Sequence, residues 1–178
     1  MKAFLKLQSV EEVLAHLRAF PPLPPEDVPL DEALSRFSAA PLAAPHDLPG
    51  FDRSTVDGFA VRARDVFGAQ EASPALLDIA GDCRMGEAAG LTLEEGQTAR
   101  ILTGGMLPAG ADAVVMVEYS RPAGGRLVEL TRSVAPGENV LRHDEDVAAG
   151  QRCLPQGRCL RPQEIGLLAA LGLTRVAV

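Results

Sequence analysis

The sequence predicts an α+β fold, with a mostly β section built as a small barrel-like or coiled sheet between helical ends. Three observations carry this. Apolar residues recur at helical spacing near both ends, at Val10, Val13, Leu14 and Leu17 and again at Ile165, Leu168 and Leu171. From Phe59 to about Val140 the pattern changes to short β segments separated by Gly-rich turns. Long helices do not alternate with these segments, so a doubly wound nucleotide-binding fold is not expected.

The first helix begins near Ser9, where Ser9 and Glu12 have the spacing of a capping box, and Pro21-Pro22 ends it. Pro21 to Pro29 contains five prolines and reads as an ordered spacer. A short helix is expected over Asp31 to Phe37. Pro41, Pro45 and Pro49 then punctuate an extended path through Leu42 to Leu48. The expected strands are Phe59–Val61, Leu76–Ala80, Thr98–Leu102, Ala113–Tyr119 and Arg126–Leu130. The run Val114-Val115-Met116-Val117 suits burial on both faces, and Pro122-Ala123-Gly124-Gly125 suits a hairpin tip. Pro162 opens the last helix, Gly172 stops it, and Leu173 to Val178 reads as a strand.

At 178 residues, the chain can bury a core without staples, and 47% apolar with 23% charged residues is ordinary for a globular protein. A formal net charge of -7 argues against nucleic acid as a partner, which calls for a basic face. The start of the chain places Glu11 and Glu12 where a signal peptide needs apolar residues, and the longest apolar run, Ile165 to Leu173, is far short of the roughly 20 residues of a membrane span. Cys83, Cys153 and Cys159 follow no metal-ligand spacing, which suggests reduced thiols and a cytoplasmic setting. His16, His46 and His143 are equally scattered. Metal ligands stay unknown at this level, and no phosphate loop or nucleophile elbow is present.

The run LPGFDRSTVDGFAVRARD, Leu48 to Asp65, concentrates candidate chemistry. Asp52, Arg53, Ser54, Thr55 and Asp57 fall between the breaker pair Pro49-Gly50 and the apolar run Phe59-Ala60-Val61, hence at a strand mouth. Read from residues alone, two explanations stand. The side chains bind a ligand, or Asp and Ser cap turns while Gly58 supplies a positive φ.

Three further stretches matter beside it: ILTGGMLPAGADAVVMVE from Ile101 to Glu118, Gly137-Glu138-Asn139-Val140 with Arg142 and Glu145-Asp146-Val147, and EIGLLAALG from Glu164 to Gly172. In their order and separation, the four stretches resemble the molybdopterin molybdenumtransferase family, known as MoeA in bacteria and as the gephyrin E domain in animals. The resemblance covers nearly the whole chain.

That resemblance implies an elongated α/β dimerisation lobe made from residues 1–46 and 143–178, with a β lobe of residues 47–142 inserted between. It implies a head-to-tail homodimer whose β lobe closes over the molybdopterin site of the other subunit. A molybdopterin-binding domain and a small C-terminal domain would follow near Val178, so the chain is expected to be the N-terminal part of a longer enzyme, inactive alone. In the resembling family the opening helix contacts that missing domain, which would leave its apolar face exposed here. The implied reaction inserts molybdenum from molybdate into adenylylated molybdopterin, with Mg2+ as cofactor.

The same resemblance supplies site residues. Asp57 matches the signature aspartate and would position magnesium or orient water; Asp146 and Thr103 complete the catalytic candidates. Arg53, Ser54, Arg142 and Gly104 are candidates for binding phosphate or molybdate, since guanidinium forks match oxyanions and a turn such as Thr103-Gly104-Gly105 can present N–H groups. For each there is a plainer structural role: Asp146 accepting backbone N–H bonds in a turn, Arg53 pairing with Asp52, the glycine turn merely ending a strand. Asp144 stands where the family often has glycine, and Leu141 where it often has a basic residue. The alternative function is a non-catalytic dimerisation or binding module that scaffolds cofactor assembly, docking the molybdopterin adenylyltransferase.

Overall fold

The computed structural model describes residues 7–21 and 23–178. In chain order the elements are α1 (Val10–Arg18), β1 (Asp27–Pro29), β2 (Leu42–Ala43), β3 (Arg53–Ser54), β4 (Gly58–Val61), β5 (Ala75–Cys83), β6 (Gln97–Ile101), β7 (Ala113–Met116), β8 (Ser120–Pro122), β9 (Leu127–Leu130), β10 (Val140–Leu141), β11 (Arg152–Leu154), α2 (Pro162–Ala170) and β12 (Arg175–Ala177). They form two compact units, residues 1–41 with 155–178, and residues 42–154. The second therefore takes in 42–46 and 143–154 besides the stretch 47–142, because β2 pairs with β11.

In the first unit, α1 starts as its spacing predicts. Glu12 N–H donates to the Ser9 hydroxyl and Ser9 N–H to the Glu12 carboxylate. None of its residues is buried, and Val10, Val13, Leu14 and Leu17 are all exposed. The helix ends at Arg18, ahead of Pro21; Pro22 lies outside the described residues. The proline-rich spacer is not wholly a spacer, since Asp27–Pro29 pairs antiparallel with β12, setting Val28 opposite Val176. Proline is tolerated there as the last residue of a two-stranded edge. The helix expected over Asp31 to Phe37 is only a 3-10 turn at Leu30–Glu32. Long-range pairing overrides it: Ser35 N–H donates to the Leu160 carbonyl, Leu160 N–H to the Arg36 carbonyl, and Phe37 bridges to Cys159, with Ser35 at φ 65°.

α2 opens with Pro162 at its first turn and stops at Gly172, whose φ of 69° suits glycine. Leu168 and Leu171 are buried. At its start the Glu164 carboxylate, only 7% exposed, accepts from Arg158 and Arg161 guanidinium nitrogens at 2.7 to 3.0 Å and from Arg161 N–H at 3.0 Å. Those bonds, from Arg161 first and Arg158 next, hold its pKa well below the usual carboxylate range.

The second unit is organised by one six-stranded sheet in the order β7-β4-β6-β5-β9-β8. All its pairs are antiparallel except β5 with β6. β7 and β8 stand at opposite edges, yet only Val117–Tyr119 separates them in the chain. Flat, six strands would set those edges roughly 24 Å apart. The link spans at most about 14 Å. The sheet must therefore curl, as its short strands lead one to expect.

Each face carries its own core. Phe59, Val61, Leu77, Ile79, Ala113, Val115, Val128 and Leu130 form one cluster, and Ala60, Cys83, Ala99, Ile101 and Val114 belong to the other. Burial on both faces is why β4 and β7 read as continuous apolar runs. In β5 the register slips between Ile79 and Gly81, so Cys83 faces the opposite cluster from Leu77 and Ile79 although all three are odd-numbered. The slip re-aims the end of β5.

Candidate functional site

The signature loop is built by pairing on both sides. β3 pairs antiparallel with β10, setting Arg53 opposite Leu141 and Ser54 opposite Val140. On the other side Ser54 N–H donates to the Gly105 carbonyl, Gly104 N–H to the Ser54 carbonyl, and Leu107 N–H to the Asp52 carbonyl. Three of the four sequence stretches thus converge here.

Asp57 is the last residue before β4, at a position the next residue dictates. A Cβ on Gly58 would lie 2.0 Å from the Val115 carbonyl oxygen, so only glycine allows β7 so close. Gly58 is required by this approach, not by the positive φ considered from sequence; it is not among the positive-φ residues. The exposed Asp57 carboxylate accepts two hydrogen bonds on Oδ1, from Thr103 N–H and from the Thr103 hydroxyl, each at 2.7 Å. The backbone bond first, and the hydroxyl bond second, hold its pKa below the usual carboxylate range.

Ser54 is 2% exposed and its hydroxyl is spent locally, donating to the Val56 carbonyl at 2.5 Å and accepting from Val56 N–H at 3.2 Å. In the Thr103-Gly104-Gly105 turn the three N–H groups go to Asp57, to Ser54 and to the Leu102 carbonyl, so the turn does not offer them to an anion. Gly104 has φ 84° and the Met85 sulfur 4.0 Å from where a Cβ would stand. Arg53 is half-buried and forms no ion pair with Asp52, whose Oδ1 accepts instead from His143 N–H at 2.7 Å. Arg142 is exposed, with its guanidinium against Gly137.

Asp146 is exposed and its N–H donates to the Leu48 carbonyl at 3.0 Å, not to the Asp57–Thr103 pair. Its segment is fastened by two carboxylates. Asp52 holds His143 N–H, while Asp47 accepts Ala149 N–H at 2.7 Å and lies 3.1 Å from His143 Nε2. Asp144 adopts φ 60°, which explains a position where glycine is at ease and aspartate is tolerated. Asp47, Asp52 and His143 were not singled out as a group by the sequence, because nothing in their spacing joins residues so far apart.

Asp57 lies on the wall of a cleft of about 540 Å3. Phe59, Ile101, Leu102, Met85 and Val117 give it apolar walls, and Asp82, Arg84 and Arg100 add charge. Leu102, Met85 and Val117 are 52%, 63% and 48% exposed, a wet apolar rim around a carboxylate. Asp82 and Arg100 are register partners in the parallel β5–β6 pair, with an Arg100 guanidinium nitrogen in a long contact of 3.5 Å to the Asp82 carboxylate. Sequence reading missed Arg84, Arg100 and Met85; the one available signal was a charged residue inside the apolar segment Thr98–Leu102. Among the described residues, no group of three or more His, Cys, Asp or Glu side chains could hold a metal ion, and no helix is long and apolar enough to cross a membrane.

Comparisons with known proteins agree with this architecture. The family model of the MoeA N-terminal region (domain I and II) matches residues 8–172. A molybdopterin molybdenumtransferase 2 of Mycobacterium tuberculosis is 39% identical over 176 residues, covering 97% of this chain and 42% of that protein. The Bacillus subtilis molybdopterin molybdenumtransferase is 36% identical over 156 residues, covering 86% and 36%. The crystal structure of a molybdopterin biosynthesis MoeA protein from Pyrococcus horikosii superposes with a TM-score of 0.82 at 36% identity, covering 97% of this chain and 44% of that one. This chain spans less than half the length of these relatives. With its curled sheet, its signature loop and its match over nearly all residues, the chain belongs to the MoeA N-terminal family, domains I and II.

Proposed function

We propose that this chain acts as the N-terminal region of a molybdopterin molybdenumtransferase in molybdenum cofactor biosynthesis, bringing the Asp57 carboxylate to a site where molybdenum from molybdate enters adenylylated molybdopterin. The family membership supports the reaction class. The observation that carries the assignment of Asp57 is the pair of hydrogen bonds its Oδ1 accepts from Thr103 on the wall of an apolar-rimmed cleft.

That geometry selects a role. A carboxylate with a lowered pKa is a poor proton acceptor, so Asp57 is suited to orienting a donor such as a water molecule and to fixing negative charge, more than to taking a proton outright. With Oδ1 engaged by Thr103, Oδ2 is the oxygen left to meet a ligand. Thr103 is the residue that aims it. Arg53 lies in the signature loop itself, and Asp146 and Arg142 on or beside the segment paired with it, and all three would contribute from there, whereas Ser54 and Gly104 serve the loop's own shape.

Magnesium does not fit the described residues as a self-contained site, since they supply no three-ligand group. An incomplete set of groups here supports a site completed by other parts of the protein, in a homodimer by the second subunit. Mixed oligomers test this. Full-length Asp57→Asn subunits, co-expressed with subunits inactivated in the remainder of the protein, should recover molybdenum insertion when the site is shared. Absence of recovery, with each parent folded and mixing demonstrated, would rule out a shared site.

A further inference from the structure

The Asp57 cleft also holds two cations that take no part in the Asp57–Thr103 pair. Arg84, at the re-aimed end of β5, and Arg100, on β6, are the basic side chains among its lining residues. Outside this cleft some arginines, Arg64, Arg121 and Arg132, stay 3.6 to 3.9 Å from their acidic neighbours, while others bond closely. Arg158 and Arg161 reach Glu164 at 2.7 Å, Arg126 reaches the Ile79 carbonyl at 2.6 Å, and Arg175 reaches Asp27 at 2.6 Å. The cleft arginines do not. Arg100 comes no nearer than 3.5 Å to Asp82, and Arg84 no nearer than 4.0 Å to Glu87, beyond the 2.7 to 2.9 Å of a formed charge-assisted bond. Both side chains are mostly exposed, at 57% and 77%, and keep donors to spare.

Their surroundings limit what those donors can meet. Asp57 and Asp82 balance the two guanidinium charges, so the cleft is not a general sink for anions. Its apolar walls, Met85, Leu102 and Val117 among them, suit a flat or apolar group joined to the anion. Two guanidinium forks beside such walls match a phosphate ester or anhydride carried on an organic ring system. We propose that Arg84 and Arg100 form a binding subsite for the phosphate portion of an organic phosphate, with the ring portion against Met85, Leu102 and Val117. This deepens the proposed function, on which it rests for the identity of the substrate: the subsite would grip the phosphate while Asp57 faces the reacting region.

The test uses the full-length protein carrying [methyl-13C]methionine, with the Met85 signal assigned by Met85→Leu. Inorganic pyrophosphate and AMP are the probes. The wild-type Met85 resonance should shift saturably with AMP, and Arg84→Gln/Arg100→Gln should weaken that response roughly 10- to 100-fold. Arg84→Lys/Arg100→Lys should retain part of it, because charge remains while the fork is lost. In turnover the Gln pair should raise KM for the phosphate-bearing substrate with kcat little changed. A shift with pyrophosphate alone would overturn the ring contact. A Met85 signal unmoved by both probes, or moved equally in the Gln pair, would overturn the subsite. The readout stands apart from the Asp57 assignment: Asp57→Asn could prove fully active while the resonance still shifts, or inactive while it does not.

Discussion

Thr103 donates both its backbone N–H and its hydroxyl to one oxygen of Asp57, each at 2.7 Å, across a sequence gap of 46 residues. The bond joins the loop entering β4 to the turn leaving β6, and these two strands are hydrogen-bonded neighbours in the sheet. The curl of the sheet and the burial of both its faces thus fix the direction of an exposed carboxylate.

Removing the hydroxyl alone separates the two bonds. In Thr103→Val the backbone bond survives, so the Asp57 pKa should rise toward, without reaching, its ordinary value. Carboxyl-carbon NMR titration of the wild type and the variant measures this directly. An unchanged titration would show that the hydroxyl bond does not persist in solution.

Gly58→Ala should be poorly tolerated, since its Cβ would meet the Val115 carbonyl at 2.0 Å and the nearest relief is a shift of β7. The expected loss is about 1–3 kcal/mol or more. It would be read from the urea midpoint at unchanged slope. A variant as stable as wild type would mean β4 and β7 are farther apart than described.

Glu164 supplies an acid-dependent part of the first unit's stability. Its folded pKa lies below its ordinary value of 4.5, so the contribution is complete above that pH and is lost as pH falls through the folded value. Glu164→Gln should therefore lower Tm at neutral pH and flatten the fall of Tm on acidification. An acid limb as steep as that of wild type would place the acid-sensitive group elsewhere.

Asp52→Ala should free His143 N–H and loosen the segment that carries Asp146. Amide exchange at His143 should quicken roughly tenfold or more, the loss expected for one bond to a charged acceptor. Asp52→Asn, which still offers an oxygen, should be intermediate. Equal protection in all three proteins would remove Asp52 as the fastening.

Much of this architecture was legible in the sequence, and the exceptions have a common cause. The capping box at Ser9, the proline start and glycine stop of α2, the hairpin tip at Gly124-Gly125 and the doubly buried β4 are local signals, and each appears where its pattern put it, whereas the strand expected over Ala113–Tyr119 ends at Met116, with Val117 exposed at the start of the 3-10 turn that leads to β8. The helix expected after Asp31 and the spacer at Asp27–Pro29 failed where distant partners, residues 158–160 and β12, competed with local preference. The same distinction holds at the site. Asp57 and Thr103 were found by resemblance and the Ser54 hydroxyl bonds Val56 only two residues on, but that Asp57 and Thr103 bond to each other and that Arg84, Met85 and Arg100 share the cleft depend on the long-range strand pairing of the sheet. No short spacing encodes those.

The most direct test of the account is Asp57→Asn in the full-length protein, with molybdenum insertion and urea unfolding measured on the same preparation. The substitution keeps shape and removes charge at an exposed position. Insertion should fall by orders of magnitude while the unfolding midpoint hardly moves. Normal insertion at unchanged stability would contradict the central claim that the Asp57 charge serves the chemistry.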